Sequence, residues 1–246
     1  MKILIVNDDG IQSKKIYALK KILELYAHVY ICVPNCEKSG SSHSTNKKNI
    51  IPENLSKEEI EDVYTHSGTA SDSVAFFLKY VTQDIDFVIS GINEGYNLGL
   101  DIVYSGTVGA ALEANIHGIR SIAISAKKNC TNFFSELPRL FNWLFYQFDW
   151  KSIHCLNINF PDQPTENDIY KYRFTSVAQI AKPLSGNNDY NLCRNHKFVT
   201  ITPLQSDFTD KEALKNINEE EKFYAKKEES FILDTDFNWN NDHNSL

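Results

Sequence analysis

Cysteine is scarce, and its placement excludes most of what cysteine can build. Five are spread over 246 residues: Cys32, Cys36, Cys130, Cys155 and Cys193. The number is odd and no CxxC pair occurs, so a zinc ribbon is not indicated and disulfide staples are not needed. Free, mostly buried thiols in a reducing compartment are the expectation. Long apolar runs are missing too. The opening run Ile3-Leu4-Ile5-Val6 gives way to Asn7 after four apolar residues. That is too short for a signal peptide, and no stretch approaches the ~18 apolar residues of a membrane span. A cytoplasmic protein with no membrane contact is expected. Excess positive charge is also absent. The formal net charge is −7, and from Asp207 to Leu246 eleven acidic residues face five basic ones, so the first 206 residues are near neutral. No electropositive face for duplex nucleic acid is evident, and a small ligand suits this balance better than a polymer.

What is present is an ordinary globular composition, 42% hydrophobic and 23% charged, enough for a sizeable core in one large domain. Lys2–Val6 reads as a buried strand, followed by a helical stripe of Ile16, Leu19, Ile22 and Leu23. His28–Val33 is a second strand, halted by Pro34. A helix over Ser71–Tyr80, a strand over Asp86–Ser90, a helix over Thr107–His117 closed by Gly118 and a strand over Ile119–Ser125 follow. Phe133–Phe148 reads as an aromatic-rich helix and Cys155–Ile158 as a fifth strand. This alternation predicts an α/β fold, doubly wound around a mostly parallel, Rossmann-like sheet. The rhythm breaks between Tyr170 and Leu204, where Tyr172–Ile180 and Lys197–Thr202 read as strands joined by a polar segment. A protruding C-terminal β-hairpin over about 170–204, serving assembly, is expected there. The acidic segment over about 207–246 reads as a tail, with a short helix after Asp210 and a frayed end.

Four motifs carry chemistry. Asn7-Asp8-Asp9-Gly10 follows the first strand, where ligands of open α/β sheets bind. Gly10 permits a tight turn that brings both carboxylates toward one cation, although a solvated Asp-Gly turn explains the residues as well. The acids are adjacent rather than two apart, which excludes the DxD use of acids in haloacid dehalogenases. Ser39-Gly40-Ser41-Ser42-His43-Ser44 follows the second strand, and its small residues let N–H groups approach an anion or a hydroxyl reach a metal. In Ser67-Gly68-Thr69-Ala70-Ser71-Asp72 a plain helix cap is the favoured role. The strongest signal runs from Ser90-Gly91-Ile92-Asn93 through Gly99 to Tyr104-Ser105-Gly106-Thr107. The Asn93 carbonyl is a hard oxygen ligand, and Ser105, Gly106 and Thr107 at a helix N-terminus suit a phosphate. Asp8, Asp9, Ser39 and Asn93 together offer four oxygen donors, two of them anionic, which suits Mg²⁺ or Mn²⁺. A phosphate-binding helix end beside such a cation is apparatus for metal-assisted phosphate ester hydrolysis.

The ordered set of these motifs resembles the SurE family. It comprises Ile3–Gly10, Val33-Pro34 to Ser42, Gly68–Val74, Ser90–Gly99, Tyr104–Ala111, Leu156–Pro161 and Val199–Leu204. The resemblance covers about residues 1–205. It implies a single divalent cation held by Asp8, Asp9, Ser39 and Asn93, with phosphate contacts from Asn97, Ser105, Gly106 and Thr107. It further implies action on nucleoside 5′- and often 3′-monophosphates, and assembly as a homodimer or homotetramer through C-terminal strand exchange. This chain has Gly68-Thr69-Ala70-Ser71-Asp72 where the family usually has Gly-Thr-Pro-Ala-Asp, and Val6 where Thr is common. Neither change touches an expected ligand, whereas the chain after Asp210 matches poorly.

The expected mechanism is attack by a metal-activated water, with Asp8 or Asp9 as catalytic proton acceptor or, alternatively, as nucleophile. Two other classes compete. A binding module that kept the pocket without turnover would bind ligand and release no phosphate. A dinucleotide-binding oxidoreductase would need GxGxxG after the first strand, where Asn-Asp-Asp-Gly stands. Tyr96, Tyr104 and His43 are candidates for base stacking or gating, with surface packing an equal explanation.

Overall fold

Within the first strand, β1 (Lys2–Val6), successive side chains point to opposite faces, and both faces are apolar. Ile3 and Ile5 join one buried cluster and Leu4 and Val6 another, so helices must cover the sheet on both sides. The structure, a computed structural model, describes residues 1–46, 61–127, 130–163, 170–178 and 187–207, with the backbone of 56 and 57. Its elements are β1, α1 (Lys14–Leu23), β2 (His28–Pro34), β3 (Ser56–Lys57), β4 (Val63–His66), α2 (Ala70–Tyr80) and β5 (Phe87–Glu94). Then come α3 (Asp101–Tyr104), α4 (Gly106–Ile116), β6 (Arg120–Ala126), α5 (Leu137–Tyr146), β7 (Cys155–Phe160), β8 (Tyr172–Phe174) and β9 (Val199–Leu204).

Among the described residues nine strands form one sheet in the order β3-β4-β2-β1-β5-β6-β7-β9-β8. The chain winds outward from β1 through β2 to β4, then returns to the other side of β1 and winds out through β5, β6 and β7. All pairings among these six strands are parallel. The winding direction therefore reverses between β1 and β5, and the crevice outside the strand carboxyl ends at such a reversal is the usual ligand site. Helices α1 and α5 supply Ile16, Leu19, Leu23, Leu140, Phe141 and Leu144 to the larger core cluster. On the opposite face α2 and α4 supply Val74, Phe77, Leu78, Ala110 and Ala114. Phe77 is fully buried and its ring centroid lies 5.1 Å from Tyr30 and 5.6 Å from Tyr64. Truncating it to alanine is expected to cost about 3–5 kcal/mol.

The α/β, doubly wound reading holds, and several boundaries coincide with the sequence expectation. Four details differ. Strand β4 escaped the periodicity reading because Val63–His66 is a four-residue run behind a charged segment. Strand β5 continues past Ser90 to Glu94 through a register shift between Gly91 and Asn93. The aromatic stretch after Thr131 is a 3-10 turn (Asn132–Ser135) followed by a separate helix α5, with Pro138 in its first turn. Proline lacks the N–H that a continuous helix would require there, but fits a new first turn. Finally, the expected hairpin over about 170–204 is corrected. Strand β8 runs parallel to β9, and β9 runs antiparallel to β7. A hairpin is antiparallel by construction, whereas a parallel pair needs a crossover, and the 24 residues of sequence between Phe174 and Val199 are enough for one. Both strands extend the sheet edge.

All five cysteines are free; Cys32, Cys155 and Cys193 are buried. Chain contacts divide the molecule into Met1–Ser206 and Asp207–Leu246. Beyond Asp207 the second unit, with the expected tail helix and frayed end, lies outside the described residues.

Candidate active site at the strand carboxyl ends

The turn after β1 closes on itself. The Asn7 side chain accepts from the Gly10 N–H at 3.0 Å and donates to the Gly10 carbonyl at 3.2 Å. Gly10 has φ +82°, and a Cβ there would stand 2.9 Å from the Cys36 carbonyl carbon. Glycine is therefore required both by the backbone and by the approach of the chain after β2. The Asp8 carbonyl accepts from the Lys38 N–H at 2.7 Å, which ties the Ser39 segment to the two aspartates. Across the reversal point, the shift after Gly91 is a bulge, a device that re-aims side chains; it precedes Asn93.

A crevice of about 670 Å³ opens here, and Asp8, Asp9, Ser39, Asn93, Asn97 and Ser105 all line it. Six of the eight expected site residues thus meet, from the ends of β1, β2 and β5 and the start of α4. The other two, Gly106 and Thr107, stand behind Asp8. The Thr107 hydroxyl donates to Asp8 Oδ1 at 2.5 Å, and Thr107 is fully buried. A Cβ on Gly106 would lie 2.9 Å from Asp8 Oδ2, so glycine is needed for the carboxylate to sit against the helix end. Thr107 is thereby a support for Asp8, and Ser105 is both crevice wall and helix cap, accepting from the Val108 N–H at 3.1 Å. At Thr69 the cap reading is also what is found: its hydroxyl accepts from the Asp72 N–H at 3.2 Å while Asp72 accepts from the Thr69 N–H at 2.9 Å.

The electrostatics are one-sided. Burial raises the Asp8 carboxyl above its ordinary range, with the Thr107 hydrogen bond opposing the rise. Asp9 is pushed up to about 6, first by burial and then by Asp8 and Glu94, with Lys15 opposing. Glu37, Glu94 and Asp101 line the same crevice, against Lys14 and Lys15. Lys15 Nζ sits 3.3 Å from Glu94. A phosphate dianion entering five carboxylates and two lysines would be repelled unless a cation intervened.

Whether these residues suit a cation is tested by their unsatisfied atoms. Asp9 Oδ2 is buried and has no hydrogen-bond partner, a costly state for a carboxylate oxygen that a cation would relieve. The Asn93 Nδ2 donates to the Gly95 carbonyl at 3.0 Å, a bond that does not engage the Oδ1 a cation would use. The Ser39 hydroxyl donates to Glu37 at 3.0 Å, which leaves its lone pairs available. Among the described residues no group of three or more His, Cys, Asp or Glu is arranged to hold a metal. The set is two carboxylates, a hydroxyl and an amide, a hard oxygen set, and it fits a divalent cation of the Mg²⁺ or Mn²⁺ type.

Sequence reasoning missed what holds Asn97. Its N–H donates to Asn159 Oδ1 at 2.8 Å, and its carbonyl accepts from Asn157 at 2.8 Å and Asn159 at 3.1 Å. Its Nδ2 donates to the Ser125 hydroxyl at 2.8 Å. A signal was present: two amides at i and i+2 within the fully buried strand β7 need partners on one face of the sheet. Of the aromatic candidates, Tyr104 lines the crevice and is 67% exposed. His43 turns to buried Glu113 on α4, 2.8 Å away, and is outside the crevice lining.

Fold and site together define a doubly wound α/β protein with an acidic, oxygen-lined crevice at the reversal of its sheet. The chain belongs to the family described as Survival protein SurE, whose sequence profile matches residues 3–182. It is 36% identical to the 5′-nucleotidase SurE of Clostridium botulinum (strain ATCC 19397 / Type A) over 85% of this chain and 95% of the relative. It is 32% identical to the 5′/3′-nucleotidase SurE of Wigglesworthia glossinidia brevipalpis over 91% and 99%. The crystal structure of the SurE protein from Aquifex aeolicus superposes with a TM-score of 0.76 at 30% identity, over 90% of this chain and all of that one.

Proposed function

We propose that this chain is a metal-dependent nucleotidase that hydrolyses nucleoside 5′-monophosphates, and 3′-monophosphates as well, to nucleoside and phosphate. The observation that carries the reading is the convergence of Asp8, Asp9, Ser39 and Asn93 on one crevice, with Asn97 and Ser105 beside them. The names of the relatives, 5′-nucleotidase SurE and 5′/3′-nucleotidase SurE, supply the substrate class. Asp8, Asp9, Ser39 and Asn93 would hold one divalent cation, Mg²⁺ or Mn²⁺. Bound there, such an ion polarises a phosphoryl oxygen and lowers the pKa of a water.

The chain's own residues divide the remaining work. Thr107 fixes the orientation of Asp8 through its hydroxyl. Asp9, in the crevice lining, accepts the proton of the attacking water through the carboxylate oxygen that a cation would leave free. Asn97 and Ser105 stabilise charge on the equatorial phosphoryl oxygens. Tyr104 presents an exposed ring at the mouth of the crevice, suited to stacking on a nucleobase. In the same reading the protein works in the cytoplasm as a homodimer or homotetramer. Among the described residues no helix is long and apolar enough to cross a membrane.

The test is a phosphate-release panel over nucleoside 5′- and 3′-monophosphates with metal-stripped protein, then with Mg²⁺, Mn²⁺ or Zn²⁺ restored. Release that returns with Mg²⁺ or Mn²⁺ is expected. Ligand binding without release in every arm would make the chain a binding module instead.

A further inference from the structure

The loop that walls the crevice between Asn97 and Ser105 has a second anchor, which comes from the far end of the chain. Asp189 is fully buried. Its Oδ2 accepts from the Gly99 N–H at 3.0 Å. Its Oδ1 accepts from the N–H of Ala178 at 2.9 Å and from that of Tyr190 at 2.7 Å. A carboxylate out of water is costly unless several donors replace its hydration, and here backbone N–H groups from three chain segments do so. Burial raises this carboxyl, and the same three donors oppose the rise.

Gly99 shows how closely the segments fit. Its φ is +55°, and a Cβ there would meet the Ala178 carbonyl oxygen at 3.2 Å and the Ala178 methyl at 3.3 Å. The stretch following β8 therefore lies directly on the loop, and Asp189 joins them. From Gly99 the chain turns into α3 through Asp101 N–H to the Leu98 carbonyl and Ile102 N–H to the Gly99 carbonyl, at 3.1 and 3.3 Å. Asn97, Asp101, Tyr104 and Ser105, all in the crevice wall, are thus carried by a stretch pinned at Asn97 from β7, at Gly99 from Asp189, and at the Val103 and Tyr104 carbonyls from the Ser42 hydroxyl and N–H. Without the second pin, a polar loop of this length would sample many conformers and lose entropy on each binding event.

We propose that Asp189 is a positioning residue for phosphate binding, tethering Gly99 so that the Asn97–Ser105 wall stands in its binding shape before the ligand arrives. The inference rests on the nucleotidase reading for phosphate as the ligand and for its kinetic readout; the tether itself does not. Asp189→Asn keeps the shape but sets an NH₂ group against a backbone donor. In the full chain with Mn²⁺, the KM for AMP and the inhibition constant of inorganic phosphate should both rise about tenfold, with kcat changed less than about threefold. Mn²⁺ affinity, measured by electron paramagnetic resonance, should stay at the wild-type value, and the Gly99 amide should exchange hydrogen faster. Unchanged KM and phosphate inhibition would overturn the proposal. So would a parallel fall of kcat and Mn²⁺ affinity, which would mark a merely structural residue. If the variant does not fold, wild-type exchange decides: Gly99 protected as strongly as Ala178 and Tyr190 is expected, and free-loop exchange at Gly99 overturns the tether. If wild-type protein releases no phosphate from any substrate, the nucleotidase reading fails. Amide exchange in wild type and variant then still judges Asp189.

Discussion

Between β1 and α1 the chain takes residues 7–13 to turn, whereas between β5 and α4 it takes residues 95–105. The shorter turn carries the charge, Asp8 and Asp9, and much of its shape comes from its own atoms, the Asn7–Gly10 pair of hydrogen bonds. The longer one carries the neutral donors Asn97 and Ser105 beside a single carboxylate, Asp101, and takes much of its shape from buried polar side chains on β6, β7 and the 187–191 segment. In the proposed reading the difference follows from what each must hold. Two carboxylates in one place need a cation and a fixed separation, which a tight turn provides. A phosphate wall needs donors aimed inward, and aiming a flexible stretch requires external partners that cannot themselves be left unsatisfied.

The comparison breaks most sharply at Asp9. Asp9→Asn should lower kcat on AMP by on the order of a thousandfold with the fold intact, measured by phosphate release and circular dichroism. Near-normal turnover would remove the carboxylate from the chemistry. Thr107→Val withdraws the hydroxyl from Asp8 and should weaken Mn²⁺ binding by roughly ten- to a hundredfold, as loss of a supporting hydrogen bond to a ligand does. Calorimetric titration checks this, and an unchanged affinity would show that Asp8 orients itself.

Acid sharpens the contrast further. Asp9 is held near 6, above its ordinary 3.8, so protons compete with the cation, and Mn²⁺ affinity should fall by up to about tenfold per pH unit below about 6. The sign for folding is the reverse of the usual carboxylate. The folded chain binds the extra proton between about 4 and 6, so this group's contribution to cation-free stability is greatest below about 4 and is lost as pH rises through about 6. Added Mn²⁺ should flatten that slope, which thermal melts at several pH values would measure. The smallest expected effect belongs to the other loop: Asn159→Ala should raise the KM for AMP several-fold and cost about 1–3 kcal/mol of stability, with cation affinity untouched. A fall in cation affinity there would mean that the two loops are not separately built.

Much of this was legible in the residues alone. The continuous apolar run at Ile3–Val6, the stripe Ile16-Leu19-Leu23 and the helix cap within Ser67–Asp72 appear where local pattern put them, because propensity, capping and burial agree there. Asp8, Asp9, Ser39, Asn93 and Ser105 were legible because each lies near a strand end or a helix start, and a parallel sheet gathers such points at one edge; Asn97 came only from the family resemblance. Thr107 was read as a phosphate contact because helix N-termini attract anions; its hydroxyl is committed to Asp8 across 99 residues of sequence, which no local pattern reveals. The hairpin reading failed for a similar reason. Two short strands and a polar link look alike whether the chain folds straight back or crosses over, and only the pairing with β7 decides.

The sequence by itself determined the alternation of strands and helices, the four oxygen donors and the glycines that let them approach, since these depend on steric and burial rules acting within a few residues. Only the tertiary structure decided which partner each buried polar group found: Thr107 with Asp8, Asn159 with Asn97, Asp189 with Gly99. A buried donor or acceptor must be satisfied, but which atom satisfies it is set by where distant strands come to lie in the sheet, and that information is spread over the whole chain.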